Sequence, residues 1–112
     1  VMKDTPFGIV GLETSLPLTY TELVEKGVIT LKQMVEKMCL NPAKILGLES
    51  GTLQEGHPAD VIIVDTEQEY TIDKNKFVSK GHNTPFDGWK VKGKVLYTIC
   101  DGKIIFENQE EK

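Results

Sequence analysis

The chain has 112 residues, the size of one ordinary domain, and its 39% hydrophobic content suffices for a modest core without a disordered composition. Its 13 basic and 17 acidic residues leave a net charge of -4 and no basic stripe, which excludes phosphate-backbone binding and hence a nucleic-acid partner. No apolar run approaches the roughly 20 residues that span a bilayer, and no charged-then-apolar leader opens the sequence, so a soluble, cytoplasmic protein without a membrane partner is expected. Cys39 and Cys100 form neither a CxxC pair nor part of a dense framework and read as reduced, structural thiols. The sequence opens at Val1 without an initiator methionine, and Asp4-Thr5-Pro6-Phe7-Gly8 has the texture of a mid-protein loop, so a piece of a longer protein is expected.

Pro6, Gly8 and Gly11 crowd residues 4–11, predicting an irregular loop whose backbone comes close to something. Leu12, Leu16, Tyr20, Leu23 and Val24 then recur at spacings of three and four. This predicts an amphipathic helix to Lys26 that closes at Gly27, with Pro17 bending it or marking its true start. Thr30 followed three residues later by Gln33 is a capping-box pattern, opening a second helix whose Leu31, Met34, Val35, Met38 and Cys39 form one apolar stripe. Asn41 as N-cap and Pro42 as first helical residue predict a short third helix to about Leu46, stopped by Gly47.

The period changes after the turn-rich stretch from Glu49 to Pro58. Val61-Ile62-Ile63-Val64, between Asp60 and Asp65, reads as a strand buried on both faces or nearly so, and Tyr70, Ile72 and Phe77 predict weaker strands. Residues 81–93, with Asn83-Thr84-Pro85-Phe86 and Trp89, read as a long ordered loop. Val95 to Cys100 and Ile104 to Phe106 flank Asp101-Gly102, a favoured pair for a two-residue type I′ hairpin turn. The tail from Asn108 to Lys112 is polar and expected to fray. Helices followed by strands, without β-α-β alternation, argue for α+β segregation or for the joined ends of two domains. The strands are too few for two packed sheets.

A zinc hydrolase needs a cluster of His, Asp, Glu or Cys around an open position. The only histidines, His57 and His82, lie beside glycines in loop-like segments and read as surface loop residues, so no metal ligands are assigned. Glu13, placed on the first helix, reads as a favourable first-turn charge in preference to a general base. Asp60 and Asp65 read as strand ends, and no GxSxG, Walker or GxGxxG motif is present. No catalytic residue is assigned.

Pro6-Phe7-Gly8-Ile9-Val10-Gly11-Leu12-Glu13-Thr14 is similar to a substrate-covering loop of dihydroorotases of the bacterial long-chain type. Asn41-Pro42-Ala43-Lys44-Ile45-Leu46-Gly47-Leu48, Gly51-Thr52-Leu53, Gly56, Ala59-Asp60, Asp65, Asn83-Thr84-Pro85-Phe86 and the Asp101-Gly102 turn keep that family's order, so the resemblance covers nearly the whole chain. The Asn-Pro-Ala and Gly…Ala-Asp…Asp segments occur across amidohydrolases. The Phe-Gly-Ile-x-Gly-Leu-Glu-Thr loop together with Asn-Thr-Pro-Phe points to dihydroorotase itself.

The resemblance implies an α+β fragment: the last helices of a TIM-barrel amidohydrolase with its substrate loop (residues 1–50), followed by the C-terminal strands of a small composite β-sandwich (residues 51–112). The implied activity is zinc-dependent, reversible hydrolysis of dihydroorotate to N-carbamoyl-aspartate in pyrimidine biosynthesis. The zinc ligands lie outside this chain, and Phe7 and Gly8 are the substrate contacts that carry over. Implied partners are the N-terminal part of the same protein, a second copy through self-association, and aspartate transcarbamoylase. Two alternatives stand beside an active dihydroorotase: a non-catalytic dihydroorotase-like subunit of aspartate transcarbamoylase, and a related cyclic-amide hydrolase such as dihydropyrimidinase or allantoinase.

Overall fold

The computed structural model describes residues 7–108, and its first helix begins at Ser15, not at Leu12. Pro17 explains the start. As the third helical residue it occupies a position whose N–H has no intrahelical partner, so its missing donor costs little there, and it marks the helix start without bending it. Helix α1 (Ser15–Thr19) runs unbroken into a π-helical turn (Tyr20–Val24), and the chain reverses at Gly27, whose φ of 76° is left-handed. Leu12 lies outside the helix and is exposed.

The capping box forms as the sequence predicts. Thr30 Oγ1 accepts from the Gln33 N–H at 3.1 Å, and Gln33 Oε1 accepts from the Thr30 N–H at 2.9 Å. Helix α2 (Leu31–Val35) continues through a second π-helical turn (Glu36–Leu40) into α3 (Asn41–Leu46). The expected break before α3 is therefore absent, because Asn41, at φ -66° and ψ -45°, is itself helical and caps nothing. Pro42 still leaves its mark: a proline inside a helix collides with the carbonyl four residues earlier, and the widened turn ahead of it relieves that conflict. Gly47, at φ 70°, ends the helix with a Leu48 N–H bond to the Ala43 carbonyl (2.8 Å) and a Gly47 N–H bond to that of Lys44 (3.2 Å).

Strands β1 (Val61–Asp65), β4 (Lys94–Cys100) and β5 (Lys103–Glu107) form an antiparallel sheet in the order β1-β4-β5, and β2 (Tyr70–Thr71) pairs with β3 (Lys90–Val91) in a separate ribbon. The β4–β5 turn has Asp101 at φ 49° and Gly102 at φ 77°, the two positive values a type I′ hairpin requires. Bulges interrupt both pairings: Leu96 is the extra residue of β4 against β1, and Ile105 that of β5 against β4. Four expectations change, the first two being that Ile72 lies just outside β2 and that Lys90–Val91, within the predicted 81–93 loop, form β3. Phe77 is not in a strand but follows a 3-10 turn (Lys74–Lys76), whose N-cap Asp73 accepts from the Asn75 N–H. β1 is not buried on both faces: among the described residues it pairs with β4 alone, and Ile62 and Ile63 are 46% and 45% exposed.

Helices occupy the first half of the chain and antiparallel strands the second, the segregated α+β order expected. Met34, Ala43, Ile72 and Val91 are the buried apolar side chains among the described residues, whereas Leu31, Val35, Met38 and Cys39 of the predicted stripe are exposed. The helices meet the strands at one tight junction. Thr21 Oγ1 accepts from the Lys92 N–H at 2.9 Å and donates to the Lys92 carbonyl at 3.3 Å, while Lys92 Nζ pairs with Glu25 at 3.4 Å. Beside them Gly93 takes φ 97°, and an added Cβ would stand 3.4 Å from both Pro17 Cα and Tyr20 Cβ. Those atoms lie at ordinary contact distance, so Gly93→Ala should cost about 1 kcal/mol of stability from backbone strain alone. Gly56→Ala should cost about the same, since φ is 85° there and the added Cβ meets open space. Denaturant unfolding of the two variants side by side checks the equality.

Candidate functional site

Two sequence segments singled out for their residue pattern, 7–14 and 83–86, come together in space. The second is carried on a loop whose base is pinned by backbone pairing: the Ile72 N–H donates to the Trp89 carbonyl and the Gly88 N–H to the Ile72 carbonyl, both at 2.8 Å. Asp87 Oδ1 accepts from the Lys74 N–H at 3.0 Å, Thr84 Oγ1 accepts from the Phe86 N–H at 3.2 Å, and Phe86 packs edge-on against Trp89 with ring centroids 5.0 Å apart. His82 donates from Nδ1 to the Lys74 carbonyl and stacks on Phe77, which fixes the loop's far side.

The loop held in this way clasps the Phe-Gly segment at three points. The Asn83 side-chain amide donates to the Gly8 carbonyl, and the Asn83 carbonyl accepts from the Val10 N–H at 2.9 Å. Gly81 gives the Val10 side chain room, since a Cβ there would lie 2.9 Å from Val10 Cγ1. At the third point the Glu13 carboxylate accepts from the Val78 N–H (3.0 Å), the Ser79 N–H (3.2 Å) and the Ser79 hydroxyl (2.9 Å). Partial burial pushes the Glu13 carboxyl up, but those three donors and the nearby His82 charge outweigh it and hold the group below its ordinary value.

These placements revise the reading of Glu13, which precedes the N-cap Thr14 and is neither on the first helix nor a first-turn charge. Its partners lie 65 and 66 residues away, and no local pattern announces them. The role of Asn83 was equally hidden, because Asn-Thr-Pro-Phe reads locally as a turn. Phe7 is fully exposed, so it anchors no core among the described residues. Gly8 has no left-handed φ, and an added Cβ would meet open space. Residues 4–6 of the same predicted loop, and 109–112 of the tail, lie outside the described residues.

His57 is exposed on its own turn, away from the clasp contacts. Asp60 Oδ1 accepts from the Asp101 N–H at 2.9 Å and braces the hairpin, whereas Asp65 Oδ1 accepts from the Glu67 and Gln68 N–H groups and ends β1. Cys39 and Cys100 are free thiols on the surface. An open cleft below the clasp, between α1 and β4, contains Tyr70, whose phenol burial pushes up, with the Lys94 ammonium 5.5 Å above its ring. Among the described residues no three His, Cys, Asp or Glu side chains converge into a group that could hold a metal ion, so these residues do not fit a zinc centre. No described helix is long and apolar enough to cross a membrane.

The family model described as "Amidohydrolase family" matches residues 2–105. The chain belongs to the amidohydrolase family. Among curated relatives, this amidohydrolase chain is 53% identical over 108 residues to a dihydroorotase of Bacillus cereus strain B4264 and 51% identical over the same length to one of Bacillus cytotoxicus. Each match covers 96% of the chain but only 25% of the relative, so the chain spans about a quarter of the length of the proteins it matches. Among solved structures, the L-hydantoinase (dihydropyrimidinase) of Arthrobacter aurescens superposes with a TM-score of 0.85 at 40% identity, covering 94% of this chain and 24% of that one. A dihydropyrimidinase of Brevibacillus agri superposes with a TM-score of 0.79 at 28% identity, covering 85% and 21%.

Because Glu13 titrates below its unfolded value, its contribution to stability is fully present above the ordinary carboxylate range and is lost as pH falls through the lowered folded pKa. Glu13→Gln should therefore be less stable than the parent at pH 7, with the gap closing as pH falls below about 4. Thermal unfolding of both proteins across that range measures the gap.

Proposed function

We propose that this amidohydrolase chain is the C-terminal part of a dihydroorotase, in which residues 1–50 supply the last barrel helices and the substrate loop and residues 51–112 the C-terminal share of a composite β-sandwich. The carrying observation is the clasp itself. It joins the Phe-Gly loop to Asn-Thr-Pro-Phe, the two motifs that distinguish dihydroorotase from the wider family, in a chain 53% identical to a protein of that name. The full-length protein then hydrolyses the ring amide of dihydroorotate reversibly to N-carbamoyl-aspartate in the cytoplasm, with zinc held by residues outside this sequence.

Phe7 and Gly8 are the substrate contacts on this reading. Nothing within the described chain demands a glycine at position 8, neither backbone conformation nor a close neighbour, so approach of a ligand to the bare backbone accounts for it. The exposed apolar side chains of α2 and β1 are the surfaces on which the rest of the same protein, or a second copy, packs. The 40% identity to an L-hydantoinase favours a second reading, in which a different cyclic amide is the preferred ring. A non-catalytic subunit of aspartate transcarbamoylase is the third.

Ring-opening assays on the full-length protein separate them: preference for dihydroorotate supports the first reading, preference for a hydantoin or dihydrouracil the second, and no turnover on any ring the third. The 112-residue chain alone should show neither turnover nor one tightly held zinc per chain. In the full-length enzyme Gly8→Val should lower kcat/KM about 100-fold with little change in Tm, as expected when a ligand-facing backbone is displaced by about 1 Å. His57→Ala should leave the kinetics unchanged.

A further inference from the structure

We propose that Asn83 is a positioning residue that fixes the peptide plane of the Phe7-Gly8 loop, an inference that rests on the reading of that loop as a substrate contact. A glycine permits close approach because it has no side chain, but for the same reason its backbone is the least restrained in the chain. Something else has to hold it. Asn83 does so from two directions: its side-chain amide donates to the Gly8 carbonyl while its own carbonyl accepts from the Val10 N–H, so Ile9 is bracketed by two bonds to one residue. In a planar trans peptide the carbonyl and the following N–H point in opposite directions. With the Gly8 carbonyl drawn to Asn83, the Ile9 N–H of the same plane is turned away from the clasp, and the plane cannot flip without losing its partner. Glu13 secures the other end of the segment through Val78 and Ser79.

The two bonds differ in what a substitution does to them. The Val10 bond uses backbone atoms of Asn83 and survives side-chain replacement, whereas the Gly8 bond needs a donor of the right length. Asn83 is exposed, so its replacement opens no cavity in the core. The effect belongs in KM, because the cost of ordering the loop falls on substrate binding once Asn83 no longer orders it in advance.

The test is steady-state ring opening by the full-length enzyme carrying Asn83→Ala, Asn83→Asp, Asn83→Gln or Gly8→Val, with amide hydrogen exchange of residues 8–10 measured alongside. Asn83→Ala should raise KM about tenfold with kcat and Tm nearly unchanged, the scale of one hydrogen bond, and should speed exchange at Ile9 and Val10. Asn83→Asp, of equal size but carrying an acceptor against the Gly8 carbonyl, should be worse than Asn83→Ala, and Asn83→Gln, which keeps the amide, should recover part of the loss. Wild-type kinetics for Asn83→Ala and Asn83→Asp in an enzyme that Gly8→Val cripples would overturn the positioning role and leave the substrate-loop reading standing. Wild-type kinetics for Gly8→Val would overturn that reading, and the role of Asn83 with it.

Discussion

The organisation of the site depends on one interaction: two irregular segments, neither part of a helix or a sheet, hold each other through side-chain and backbone hydrogen bonds. Gly8 and Asn83 are 75 residues apart in sequence, and Glu13 and Val78 are 65 apart. These bonds lie at the surface, where water could replace them at modest cost, so what each contributes is chiefly a fixed position. The carboxylate of Glu13 contributes the strongest share, since a charged acceptor taking two N–H groups and a hydroxyl binds more tightly than neutral pairs do. The 70–74 and 87–91 pairing supplies the fixed base without which the loop would have nothing to hold against.

Much of the local structure was legible because residue type and conformation coincide within a few positions. Thr30 and Gln33 close a capping box, Gly47 takes the left-handed turn that ends α3, and Asp101-Gly102 makes the hairpin turn its pair of positive φ values demands. What failed depends on distant neighbours. Ile62 and Ile63 promised burial, yet side chains leave a strand toward the two faces of its sheet, and among the described residues both remain about half exposed there. Phe77 has strand propensity, but Asp73 and the 3-10 turn before it set its backbone. The clasp was visible only in part: the Phe-Gly and Asn-Thr-Pro-Phe motifs stood out as patterns, and nothing in either named the other as its partner.

The family match says how much of its relatives this chain represents. Matching a quarter of the length of its dihydroorotase relatives, the chain brings a loop and its support, while the described residues bring no group able to hold a metal. The helical half and the strand half of this chain are joined both at the clasp and at the Thr21–Lys92 junction, so a displacement of the strands would reach the loop by two routes.

The π-helical turns at Tyr20–Val24 and Glu36–Leu40 have a consequence for how these helices meet their surroundings. A widened turn inserts one residue without completing another α-helical step, which leaves every later side chain about 100° behind its place on a uniform helical wheel. Apolar residues that look collinear on a uniform helical wheel therefore separate in phase: Leu31, Met34 and Val35 precede the second such turn, and Met38 and Cys39 lie within it. A helix of this kind presents two facets instead of one stripe, and it can address two differently oriented neighbours along a single rod.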